Sequence, residues 1–152
     1  MDRLVGFLIV VAASLAVAQT PQKLRNRYGE PDVERFRARP GIGLTVEYGS
    51  DHVACQILIQ PSQQILSSQE EEARFMSSET VTDILEEVVP VGTRGKEIGH
   101  VYSAKGCNEF DITECENVSL ARSTHNCLPL KREREMRATV TFKRAVCISQ
   151  SK

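Results

Sequence analysis

The stretch Ile42-Gly-Leu-Thr-Val-Glu-Tyr-Gly-Ser-Asp-His-Val-Ala-Cys-Gln-Ile-Leu-Ile59 decides the fold. Ile42, Leu44, Val46 and Tyr48 alternate with Gly43, Thr45 and Glu47, the period of a half-buried strand. Gly49-Ser50-Asp51-His52 then offers turn chemistry: Gly tolerates positive φ, while Ser and Asp bond their own backbone. Val53, Cys55, Ile57 and Ile59 resume the alternation. A loop made of residues 49–52 predicts Tyr48 opposite Val53, Val46 opposite Cys55, Leu44 opposite Ile57 and Ile42 opposite Ile59. Opposite residues of an antiparallel pair share a face, so these apolar side chains reach one side together. A one-residue slip would turn one strand's apolar set to water, which specifies the register.

Working outward, Thr20-Pro21 starts a short helix, with Thr as cap and Pro at the first helical position. Leu24 and Tyr28 share a face, Gly29 caps the end and Pro31 blocks continuation. Asp32 to Arg39 reads as basic and irregular with Phe36 as its buried anchor, and Arg39-Pro40-Gly41 turns into the hairpin. Beyond Pro61, residues 62–76 are polar and acidic and read as a solvated loop or loose helix. Ser77-Ser78-Glu79-Thr80 opens the clearest helix, in which Val81, Ile84, Leu85 and Val88 form one stripe; Ser77, Ser78 or Thr80 would cap it. Pro90 stops it, and 91–96 read as a loop.

Ile98 to Ala104 reads as a strand, and Lys105-Gly106 as a turn. Residues 110–115 are ambiguous, and 117–123 alternate weakly. Met136, Ala138, Val140 and Phe142 alternate with Arg137, Thr139, Thr141 and Lys143, a second strong strand expected to run on to Cys147 through a bulge near Arg144. The order predicts an α+β domain: an antiparallel sheet built from hairpins, two helices packed on one face, and a loose helix-hairpin duplication.

The chain has 152 residues, enough for one domain with a real core. Charge is balanced, with 19 Lys+Arg against 20 Asp+Glu, which gives no global reason to expect nucleic acid or an anionic membrane. Aromatics are only 5% and Trp is absent, so stacking platforms for bases or sugars are scarce. Residues 1–18 read as a secretory signal: Arg3 in the n-region, an apolar Leu4–Leu15, and Ala16-Val17-Ala18 as a small-x-small cleavage site before Gln19. The expected mature protein is a single exported α+β domain, 19–152, periplasmic or extracellular, with no span after signal removal.

All five cysteines follow that cleavage site. Five is odd, so one thiol stays free, is capped or pairs between chains, and about fifteen two-bridge schemes are open. Cys107, Cys115, Cys127 and Cys147 are the disulfide candidates, while Cys55, in phase with the core, reads as a small buried hydrophobe.

The stretches Leu24-Arg-Asn-Arg-Tyr-Gly-Glu-Pro31, Arg39-Pro-Gly-Ile-Gly-Leu-Thr-Val46 and Glu116-Asn-Val-Ser-Leu120 resemble short exported bacterial proteins of no established function. The order of elements is similar to the helix-then-hairpin units of beta-lactamase-inhibitor-like envelope proteins. That resemblance implies a module that binds or scaffolds other proteins, and fold likeness alone assigns no activity.

Catalytic and metal signatures are sparse. His125 and Cys127 lie two apart, a spacing that does not ensure a nucleophile–base geometry. His52, His100 and His125 are isolated, and no Cys-x-x-Cys, His-Glu-x-x-His or calcium-loop spacing occurs. Gly41-Ile-Gly43 and Gly92-Thr-Arg-Gly95 lack the further residues of a phosphate loop. Asn117-Val118-Ser119 is a glycosylation sequon that matters only in a eukaryotic host. No cofactor is expected.

Arg132, Arg134, Arg137, Lys143 and Arg144 form a candidate protein-contact patch, extended by Arg25, Arg27, Arg35, Arg37 and Arg39. The competing use of these charges is pairing with the acidic stretch 70–87. The leading expectation is an exported non-enzymatic binding or scaffolding module. The alternative is a small Cys-dependent hydrolase or thiol redox protein, which a selectively reactive thiol would mark.

Overall fold

The computed structural model describes residues 20–62, 76–126 and 134–147. The expected signal at 1–18, the acidic stretch 63–75, Cys127 and Arg132 lie outside them. The fold is α+β with an open antiparallel sheet. Helix α1 (Pro21–Tyr28) belongs to one unit, Met1–Glu30, and every strand belongs to the other, Pro31–Lys152.

Helix α1 forms as its punctuation predicts. The Thr20 hydroxyl accepts from the Lys23 N–H, Pro21 opens the first turn, and Gly29 ends it at φ 88°. It contributes no buried side chain.

In the second unit, β1 (Val33–Arg39), β2 (Ile42–Tyr48) and β3 (Ala54–Pro61) form a meander. The stretch read as irregular is therefore strand β1. It is tied to β2 through Pro40-Gly41, with Pro holding φ and Gly41 at φ 77°. Phe36 faces Leu44 across that ladder, but at the sheet edge it remains 49% exposed rather than buried.

The hairpin forms with its register moved by two residues from the expected one: Leu44 faces Ile59, Val46 faces Ile57, and Ile42 faces Pro61. One residue of the shift comes from the loop, which takes in Val53 so that Tyr48 faces Ala54, and the other from a bulge at Cys55, beyond which Glu47 faces Gln56. The loop is closed by Gly49 N–H to Val53 C=O and His52 N–H to Gly49 C=O, with His52 at φ 58°. A shift of two keeps parity, so Ile42, Leu44, Val46, Cys55, Ile57 and Ile59 still point inward. Val53, placed in the loop, is 55% exposed instead of facing the core.

Strand β4 (Met76–Ser77) resumes the line of β3 along β8, and then the chain enters α2 (Ser78–Val88). The Ser77 hydroxyl accepts from the Thr80 N–H, so Ser77 is the cap among the candidates. Val81, Ile84 and Leu85 are buried on the sheet and Val88 packs beside them. Truncating Ile84 to Ala would remove about 2–5 kcal/mol. Arg94, in the single turn α3 (Val91–Arg94), donates through Nε to the Val89 carbonyl and pairs with Glu86, which closes the end of α2. Only α2 supplies buried helical side chains; the expected second packed helix is not among the described residues of the core.

A second meander follows: β5 (Glu97–Lys105), β6 (Asn108–Cys115), β7 (Val118–His125) and β8 (Arg134–Phe142). Across the sheet the order is β1-β2-β3-β8-β7-β6-β5, so the last strand lies in the middle. Ala138 and Val140 are buried inward and Phe142 packs against the core, as the alternation predicts. Met136 departs from it. Ser123 faces Arg137 and Thr124 faces Glu135, so Met136 bulges out at 41% exposure and Glu135 takes the inward place at 0%. Beyond Phe142 the chain turns, and Cys147 makes an isolated bridge to Gly49 instead of extending the strand.

Cys147 is bonded to Cys55, with Cα atoms 5.3 Å apart, which makes the residue read as a plain hydrophobe half of a disulfide. Cys115 is a free buried thiol, not a bridge partner. Cys107 is also disulfide-bonded.

Candidate functional site

The inward rows of β5, β6 and β7 change character along their length. On β7, Val118 and Leu120 are followed in phase by Arg122 and Thr124. On β6, the residues opposite them run from Cys115 and Thr113 to Asp111 and Glu109. On β5, Tyr102 faces Asp111 and His100 faces Thr113. Near Leu85 of α2 these rows are apolar and complete the core; beyond it they are polar, and no described residue covers them. Ser78, Glu79, Thr82 and Glu86 of α2, with Arg94 of α3, form the opposite wall. The resulting cleft holds about 860 Å³, within the range of ligand sites.

Glu135 lies at its floor. The β8 bulge turns this carboxylate inward, where it is fully buried and ion-paired with Arg122. Arg122 also reaches the Ser78 carbonyl at 3.3 Å, in the first turn of α2. One guanidinium therefore ties β7, β8 and the start of the helix together. A buried charge is costly unless paired, so Glu135 fixes Arg122 and Arg122 fixes the cleft wall. Asp111 stands directly opposite Arg122 on the ladder, and the His100 ring lies 3.1 Å from the Asp111 carboxylate.

The charges around the cleft are unequal. Glu79, Glu86, Glu97, Glu109, Asp111 and Glu135 face two guanidiniums, Arg94 and Arg122. Both guanidiniums are already matched, Arg94 with Glu86 at 3.0 Å and Arg122 with Glu135. Among the described residues the wall therefore carries more acidic than basic side chains.

Few residues singled out from sequence alone come to this cleft. Cys115 lines it as a buried thiol, and no base is hydrogen-bonded to it among the described residues. His100 is beside it through Asp111, whereas His52 sits in the β2–β3 loop and the His125 ring bonds Asn108. Among the described residues the cluster with metal-ligand spacing is Glu47, Cys55 and Cys147, whose two sulfurs are bonded to each other.

Of the expected cationic patch, the structure describes the side chains of Arg137, Lys143 and Arg144. Arg137 faces outward on β8, and Arg144 is exposed in the turn beyond it. Lys143 is engaged by Glu114 at 2.7 Å, and the Ser119 hydroxyl donates to the same carboxylate at 2.6 Å. The Lys143 bond first, and the Ser119 bond second, hold the Glu114 carboxyl below the ordinary glutamate value. Arg39 pairs with Glu87 of α2, which is the intramolecular use of basic and acidic segments weighed above. Gly92 and Gly95 belong to α3 and its end, and the Asn117 side-chain amide of the sequon donates to the Thr93 carbonyl.

Sequence reasoning missed Glu135 and Arg122 because 131–137 has the look of a solvated charge run. The available signal was Arg122, which falls in phase with Val118 and Leu120 and so had to face inward. Comparison of the chain with protein-family models, curated proteins and solved structures finds no match.

Proposed function

We propose that this chain is an exported binding module whose cleft receives a cationic segment of another protein. The observation that carries this reading is the acidic surplus around a wall whose own two arginines are already paired. Arg122 and Glu135 hold that wall before any ligand arrives, which lowers the ordering cost of binding. The electrostatic contribution acts mainly on encounter and specificity. Export is supported by the Cys55–Cys147 bridge, a bond that persists in oxidising compartments, and by the signal-like start of the sequence.

The test is an NMR titration of the oxidised protein with a short lysine-rich peptide and with a glutamate-rich peptide of equal length. Binding should shift Tyr102, Asp111, Thr113 and Thr124 with the basic peptide alone, and should weaken as salt is raised. Asp111→Asn with Glu109→Gln should lower the affinity about tenfold or more. Equal response to both peptides, or shifts scattered away from the cleft, would refute the assignment.

A further inference from the structure

The two edges of the sheet differ in a way that points to a partner. The β1 edge carries Arg35, Arg37 and Arg39 and an irregularity between Arg37 and Arg39, both features that discourage another strand from pairing there. The β5 edge has neither a proline nor a run of like charge. Its own irregularity, between Glu97 and Gly99, lies at its start; from Gly99 to Lys105 it is regular, and among the described residues it ends the sheet on its side. Its exposed apolar residues are Ile98, Val101 and Tyr102.

We infer that β5 pairs with β5 of a second copy, antiparallel, about a two-fold axis at Val101. The turn Gly106-Cys107, with Gly106 at φ 61°, closes the β5–β6 hairpin on the pair Lys105 and Asn108. In such a two-residue hairpin Lys105, Ser103 and Val101 direct their backbone groups to β6, and the residues between them direct theirs to the outer edge. Centring the axis on Val101 then matches edge-directed residues with each other, His100 opposite Tyr102. Val101 meets Val101 in the non-hydrogen-bonded pair, where side chains approach most closely.

Charge agrees with this register. Glu97 starts the strand and Lys105 ends it, so an antiparallel copy brings each Lys105 to the partner's Glu97 end. The apolar surface agrees as well. Val101, Ile112 and Ala121 form one outward row across β5, β6 and β7, beside Phe110 and Met136. The pairing makes that row continuous across both copies, an isologous contact that closes at two chains. Because the axis is perpendicular to the sheet, both clefts open on the same side. The self-pairing stands on the edge strand alone and does not depend on what the cleft binds.

Sedimentation of the oxidised full chain tests it. The wild-type protein should be a dimer, and Val101→Lys, which puts two like charges on the axis, should raise the dissociation constant about tenfold or more. Glu97→Lys should weaken association, and Glu97→Lys with Lys105→Glu should restore it. In a Cys115→Ala background, Val101→Cys should oxidise to a covalent dimer and Ser103→Cys should not. This decides the register even where a charged variant loses its fold. A monomer at every concentration, or a dimer indifferent to Val101→Lys and to the position of the cysteine, would overturn the inference.

Discussion

Thr124 stands opposite Glu135 on the β7–β8 ladder, in the place where simple alternation would put Met136. The extra residue is Met136, and its displacement buries a carboxylate that Arg122 neutralises.

Removing one member of that pair should be far worse than removing both. Arg122→Ala leaves an uncompensated buried charge and should cost about 3–5 kcal/mol. Arg122→Met with Glu135→Leu should recover most of that loss, since an apolar pair of similar volume is often as stable. Urea unfolding at neutral pH measures both, and the double variant should keep its fold while its cleft loses a fixed wall.

The Cys55–Cys147 bond closes a loop of sequence separation 92. Long loops restrict the unfolded chain most, so Cys55→Ala with Cys147→Ala should destabilise by about 2–5 kcal/mol. Peptide mapping of the oxidised protein should find Cys55 linked to Cys147, and Cys115 alkylated only after denaturation.

Two glycines should answer alanine in opposite directions. A Cβ at Gly49 would lie 2.8 Å from the Val146 carbonyl oxygen, backbone that the neighbouring disulfide holds in place. Gly49→Ala should therefore cost about 1–3 kcal/mol. Gly92 sits in α3 with nothing within 4 Å of a new Cβ, and Gly92→Ala should gain a few tenths to about 1 kcal/mol. Thermal unfolding compares the two.

The Glu114 carboxylate should contribute to an acid-sensitive limb of stability. Its folded pKa is lowered by Lys143 and Ser119, so the unfolded state binds its proton more readily. The contribution is complete above the unfolded value and is lost as pH falls through the folded one. Titration by carbon-13 NMR should place Glu114 below an ordinary glutamate, and Ser119→Ala should move it up.

The hairpin face, the α2 stripe, both helix caps at Thr20 and Ser77, and the Val140 strand were legible because periodicity and punctuation act locally. What was not legible depended on one inserted residue. Val53 in the loop and the bulge at Cys55 each moved the hairpin register by one, and the bulge at Met136 exchanged a methionine for a glutamate. Neither insertion leaves a mark on local propensity, because each is set by the neighbouring strand. The cleft was illegible for the same reason: Arg122 and Glu135 meet only through the ladder, and Glu135 resembles its solvated neighbours in the chain.

The central position of β8 has a consequence for biosynthesis. The β1–β3 meander and the β5–β7 meander share no ladder until β8 is inserted between them. A nascent chain therefore carries two unfinished half-sheets, each with an open hydrophobic edge, until its last strand has been synthesised. Completion of the sheet therefore waits for residues 134–142, and non-local pairing of this kind is slow and exposes strand edges until it forms.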